Sequence, residues 1–126
     1  MVDQQIFSIR NKHDIINVRM HVREAARNIG MDLGSQARIS LATSSLTEKL
    51  GLGIEPDSNS IAIKCLNEGH NKGLRVVCTF CDSKEAKPVN MAVGNVSWLV
   101  DTVAIRNLSG DQVEITLTKW VMRRPS

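Results

Sequence analysis

At 126 residues, 42% of them hydrophobic, the chain has room for one substantial core and fits one domain. Its net charge of +3 is spread over sixteen cations, of which only Arg123 and Arg124 are adjacent, so no stripe for a nucleic-acid backbone stands out. No apolar run approaches the ~18 residues that cross a bilayer, and aromatics at 3% leave the core to Ile, Val, Leu, Ala and Met.

Cysteine usage bears on the compartment. Three cysteines are an odd number, and the opening MVDQQIFSIRNK lacks the pattern of a secretory leader. A soluble cytoplasmic protein with reduced thiols is the expectation.

In chain order, residues 4–9 alternate weakly and predict a short first strand. Ile15, Val18, Val22, Ala25 or Ala26, and Ile29 then fall at helical spacing, with Asp14 as N-cap and Gly30 as terminator. Asp32 or Ser35 caps a second helix, whose Ile39, Ala42, Leu46 and Leu50 share one face and which stops at Gly51. IEPDSNS is turn chemistry throughout.

Ile61, Ile63 and Cys65 alternate, EGHNKG turns the chain, and LRVVCTF follows as a more buried strand. That pattern predicts a hairpin with a long connection. Beyond CDSKEAKPVN, a third helical set takes in Val96, Leu99 and Val100, with Val103 at its margin. VAIRN and QVEITLTKWV close the chain as a hairpin around LSGD. The order β-α-α-β-β-α-β-β, without repeat or low-complexity linker, predicts a single domain over residues 1–126 and a two-layer α+β sandwich.

Four phrases in that order, QARISLATSSLTEKL, SIAIKCLNEGHNKGLRVVCTF, VSWLVDTVAI and VEITLTKWV, span most of the chain from Gln36 to Val121. Their order and spacing resemble the GHKL superfamily, the histidine-kinase-type ATPase fold, in its branch of bacterial anti-sigma-factor serine kinases and switch kinases. The resemblance implies a mixed, mainly antiparallel sheet with three helices on one face. It places Ile15, Val22, Ile39, Leu46, Val76 and Leu99 between the layers.

The nucleotide chemistry of that family does not carry over. Its second helix supplies a Glu, because a proton must be taken, and an Asn, because magnesium is a hard cation that wants oxygen. Here Ser45 and Lys49 stand at those positions, and Glu48 is read as lying on a different helix face from Ser45. The family next has an Asp that accepts the adenine amino group, followed by glycines. Asp82 is the candidate for that position, with Phe80 the equivalent if the alignment shifts by two residues. Ser83, Lys84, Glu85 and Ala86 follow, none of them glycine.

SKEAKPVNMAVGN is also markedly shorter than the family's glycine-rich lid, and Gly94 alone cannot make a nest of backbone donors. A Lys49 pointing into the former metal site would find Asp82 as its carboxylate; otherwise it is a solvated surface lysine.

The resemblance therefore implies a degenerate member: a regulatory protein-binding module of the anti-sigma-factor kinase type, without nucleotide turnover and without a cofactor. Ser45, Lys49 and Asp82 then mark a former nucleotide pocket. Its implied partners are a STAS-type anti-sigma antagonist, a sigma factor, a PP2C-type phosphatase or a fused signalling kinase, and a homodimer is compatible with it. Nucleic acid and membrane are not expected partners. The alternative is an active ATP- and Mg-dependent serine/threonine protein kinase with divergent motifs.

Other constellations are read structurally. Cys78 and Cys81 with Cys65 and His70 suggest a metal on paper, but Cys78 lies inside an apolar strand run where CxxC thiolates cannot converge. Ser44 and Ser45 with His13 or His21 have nothing to fix a nucleophile–base geometry. Trp120 and Trp98 are expected to pack in the core or at an edge. If exposed beside the shortened lid, Trp98 becomes a partner anchor.

Overall fold

The computed structural model of the chain describes residues 4–52, 59–81, 89–108 and 110–121. Strand β1 (Gln4–Ser8) leads into helices α1 (Lys12–Asn28) and α2 (Leu33–Lys49). Strands β2 (Ser60–Glu68) and β3 (Asn71–Cys81) follow, then the short helix α3 (Val89–Gly94), a 3-10 turn (Ser97–Leu99), and strands β4 (Thr102–Asn107) and β5 (Gln112–Trp120). This is the element order read from the sequence. No described helix is long and apolar enough to cross a membrane.

Both long helices start and stop on local chemistry. Asn11, in extended conformation, caps α1: its side-chain oxygen accepts the Asp14 N–H at 3.0 Å. Asp14 lies in the first turn instead of at the cap, and its carboxylate accepts the Arg10 backbone N–H at 2.8 Å. Two short polar side chains competed for the cap, and the earlier one holds the extended backbone that capping requires. Asp32 caps α2 as expected, accepting the Ser35 N–H at 2.7 Å.

Both C-termini close as Schellman motifs, with Met31 N–H to Ala26 O at 3.0 Å and Leu52 N–H to Thr47 O at 3.1 Å. Gly30 (φ 93°) and Gly51 (φ 71°) supply the left-handed residue that the motif needs.

The third helix lies earlier in the chain than the set Val96, Leu99 and Val100 predicted. Helix α3 ends at Gly94, only three residues of 3-10 turn follow, and Val103 already belongs to β4. Val96, Leu99 and Val100 are buried as their spacing suggested. The spacing reported burial, but β-branched Val96, Val100 and Val103 resist helix, and Val100 is already extended (φ −130°, ψ 172°) on the way into the sheet.

The sheet has five strands in the order β1-β2-β3-β5-β4. Every described pair is antiparallel, so the parallel component expected of a mixed sheet is not found among them. The β2–β3 connection is a two-residue turn, Gly69–His70, because Glu68 pairs with Asn71. Asn71 and Lys72, polar enough to read as loop, are held as strand by the ladder, against the long connection expected. Tertiary pairing overrode composition.

Alternation divides the sheet into two faces. Ile61, Ile63, Leu74, Val76, Cys78, Phe80, Val113, Ile115 and Leu117 turn toward the helices and are buried. They join Ile15, Val18, Val22, Ala26, Ile39, Ala42 and Leu46 in one core cluster. All six residues expected between the layers are buried, Leu99 from the 3-10 turn included. On the opposite face Ala62, Lys64, Arg75, Val77 and Thr116 are half-buried or exposed, while Leu66 and Thr118 are buried. Trp120 lies on that face over Gly73, its cross-strand partner. A Cβ on Gly73 would stand 2.6 Å from Trp120 Cε3 and 3.0 Å from the Lys119 carbonyl oxygen. Only glycine lets the indole lie flat on the strand.

Gly73→Ala should therefore lose about 1–3 kcal/mol of stability in urea unfolding; an unchanged midpoint would mean that the Trp120 ring lifts away freely. A second expectation concerns acid. The Ser35 N–H bond, and beyond it the Arg38 charge, hold the Asp32 carboxyl below its usual 3.8. A depressed folded value adds stability above the unfolded pKa and loses it as pH falls through the folded one. Asp32→Asn should flatten the fall of Tm as pH drops below 3.8. Parallel curves for parent and variant would show that the capping charge adds nothing.

Candidate functional site

Helix α2 is the element on which the resemblance places phosphate chemistry, and nine of its seventeen residues are buried. Ile39, Ala42 and Leu46 face the sheet. Its buried hydroxyls are spent on helix carbonyls. Thr43 Oγ1 donates to Ile39 O at 2.8 Å, Thr47 Oγ1 to Ser44 O at 2.9 Å, and Ser44 Oγ to Leu41 O at 3.3 Å. Ser40 Oγ reaches across to Arg19 O on α1, and Gln36 Nε2 donates to Met31 O at 2.8 Å. A hydroxyl whose proton is given to its own helix is a satisfied buried polar group.

The remaining stripe of α2 faces outward. Leu41, Glu48 and Lys49 are exposed and Ser45 is half-buried. Glu48 therefore stands on the same side as Ser45, because residues three apart on a helix are neighbours; it is not on a separate face. Lys49 makes no ion pair among the described residues. Asp82, its suggested partner, lies outside the described residues, as do Ser83, Lys84, Glu85 and Ala86.

Phe80 is clearer. It sits next to the end of β3, opposite Val113, with its ring on the helix side and 2% exposed. It ranks among the largest fully buried side chains of the protein. If Phe80 is the equivalent of the family's adenine-accepting carboxylate, an apolar ring fills the space that carboxylate would keep polar.

Beside α2 pack α3 and the 3-10 turn. Trp98 on that turn is 73% exposed, and its indole N–H is satisfied locally by Asn95 O at 3.0 Å. Met91 on α3 is also exposed. Trp98 is thus neither core nor edge packing: it presents an apolar ring to solvent with its one polar group already bonded.

The other constellations do not assemble. The three cysteines are free thiols, and no group of three His, Cys, Asp or Glu among the described residues could hold a metal. Burial pushes the Cys78 thiol up to about 12, so it stays protonated. His70 lies exposed in the β2–β3 turn. The His21 ring approaches Asn17 O at 3.0 Å through Nδ1 and sets its edge against Phe7 at 4.9 Å, on the β1 side of α1. No serine–histidine hydrogen bond occurs among the described residues.

One feature escaped sequence reasoning. Gln5, His21, Glu24, Asn28, Ile63 and Cys65 line a cleft of about 330 Å³ between α1 and the β1–β2 edge. Its residues come from three separate elements, so no spacing could have announced it.

No family model matches the chain. Over 132 aligned residues, covering 96% of the chain and 99% of its counterpart, it is 26% identical to the serine/threonine-protein kinase RsbT of Bacillus subtilis (strain 168). It also matches the crystal structure of the RsbU and RsbW domains of Rv1364c from Mycobacterium tuberculosis, with a TM-score of 0.67 at 18% identity. That match covers 92% of this chain and 32% of the other. The fold is that of the GHKL ATPases. The likeness runs to the anti-sigma-factor serine-kinase branch, as the sequence phrases suggested.

Phe80→Ala would open a cavity at the end of β3 and should cost about 3–5 kcal/mol in urea unfolding. A loss below 1 kcal/mol would mean that the ring lies over a space already open, as a nucleotide pocket would leave it.

Proposed function

We propose that the chain is a regulatory protein-binding module of the anti-sigma-factor kinase type that works without nucleotide turnover. Phe80 carries the reading. With Phe80 at the position of the family's carboxylate, a buried aromatic ring at the end of β3 supplies no acceptor for an adenine amino group. The residues on α2 agree. Ser45 lacks a basic group to take a proton, and the Lys49 ammonium cannot ligate magnesium. Positioning and charge stabilisation make up most of phosphoryl-transfer catalysis, and neither side chain contributes to them in the family's way.

Glu48 supports a second reading. Its carboxylate shares the outward stripe with Ser45, so an active serine/threonine protein kinase with a displaced base, using ATP and Mg, is the alternative. It would still need a magnesium ligand in place of Lys49.

As a binding module, the chain would act through the surface around α2, α3 and the 3-10 turn. Trp98 is suited to anchor a partner there: a large ring, already exposed, whose burial needs no further hydrogen bond. By likeness to the relatives, the partner would be a STAS-type anti-sigma antagonist, a sigma factor or a PP2C-type phosphatase, and the setting the cytoplasm.

Two measurements test the reading. Millimolar Mg-ATP should leave Tm unchanged, because a ligand that binds the native state must raise it by mass action; a clear upward shift would return the kinase alternative to first place. The double variant Ser45→Glu, Lys49→Asn restores the two reacting groups and should still show no magnesium-dependent ATP turnover. Turnover in that variant, absent from the parent, would mean that the remaining scaffold still positions phosphates.

A further inference from the structure

The side of the sheet away from the helices has its own chemistry. Register places Gln4, Lys64, Arg75, Thr118 and Thr102 in one row across all five strands. Lys64 and Arg75 are direct cross-strand partners in this row. Like charges directly opposite each other destabilise a sheet, and no carboxylate in the row offsets them. Neither cation has an ion pair among the described residues, and Arg75 Nε is buried without a hydrogen-bond partner. On this face Glu114 is already tied to Arg106 at 3.3 Å, while Glu68 stands at the hairpin tip, two rows from Lys64.

The next row is apolar or small throughout: Ile6, Ala62, Val77, Thr116 and Ala104. Ile6 is 69% exposed. A strip of small side chains thus runs beside a cation pair that has no ion pair among the described residues. A cost of this kind is removed by an anion supplied from outside.

We propose that the open face of the sheet docks an acidic, aliphatic-bearing segment of a partner protein. Its carboxylates meet Lys64 and the half-buried Arg75 side chain, and its apolar side chains lie on Ile6, Ala62 and Val77. This surface lies on the opposite side of the sheet from α2 and Trp98, and engagement there needs no nucleotide. A second copy of the chain fits the face poorly. It would bring the same cation pair, in a row that holds no carboxylate among the described residues.

The test uses the full chain and a short synthetic helical peptide carrying Glu and Leu along one face, with its Glu→Lys counterpart as control. Amide chemical-shift mapping should place the acidic peptide on β2, β3 and β5 around Lys64, Arg75, Val77 and Thr116, with affinity falling as salt is added. Lys64→Glu should weaken binding about tenfold or more while raising Tm by about 1–4 °C, since a repulsive pair becomes an attractive one.

Gain of stability with loss of binding is an outcome that a purely structural lysine would not produce. Several results would overturn the proposal: no binding, equal binding of the Lys peptide, shifts confined to α1, α2 or Trp98, or a Lys64→Glu variant that is less stable or binds unchanged. A dimer in sedimentation that Lys64→Glu dissociates would assign the face to a second copy and overturn it as well.

Discussion

Burial of one face of the antiparallel sheet under α1 and α2 is the constraint on which the rest depends. Ile61, Ile63, Val76, Ile115 and Leu117 meet Ile15, Val22, Ile39 and Leu46, all of them nearly or wholly removed from solvent. Each such side chain contributes on the order of 1.5–3 kcal/mol. With only two aromatic types contributing four residues in the whole chain, the interlayer space is filled mainly by branched aliphatics, whose fit depends on register. A one-residue slip of β3 would turn Arg75 and Thr79 into the core and Val76 and Phe80 out of it.

Helix α2 shows what that constraint does to chemistry. In an ATPase of this fold the helix must leave polar groups free for phosphate and metal. Here the hydroxyls of Thr43, Ser44 and Thr47 are closed onto carbonyls of the helix itself, Ser40 onto Arg19 of α1, and Gln36 onto Met31. The polar side chains serve the helix as internal satisfaction. The outward stripe of Leu41, Ser45, Glu48 and Lys49 is left with no network to position a reactant. At the far end of β3, Phe80 extends the apolar layer to the limit of the strand.

The two sides of the molecule differ accordingly. The helix side is sealed by aliphatic packing, with Trp98 and Met91 projecting at one end. The sheet side has no helix over it in the described residues, and its surface mixes small side chains with Lys64 and Arg75. Gly73 and Trp120 form a built feature there, because the indole needs a residue without a Cβ beneath it.

Much of the fold could be read from residue order because it rests on local rules. Helical spacing marked Ile15 to Ile29 and Ile39 to Leu50, strand alternation marked Ile61 to Cys65, and the glycines at 30 and 51 marked the helix ends. The missing family residues on α2, Ser45 and Lys49, were equally legible, since each is a matter of side-chain type at one position. Pairing decided what those rules could not. It drew Asn71 and Lys72 into β3, made the β2–β3 turn two residues long, and took Val103 from a predicted helix into β4. It placed the indole of Trp120 on Gly73, and it set Lys64 against Arg75. Such relations join residues distant in sequence or depend on which face the tertiary structure covers. Periodicity along one chain carries no register between strands, so only the assembled sheet could settle them.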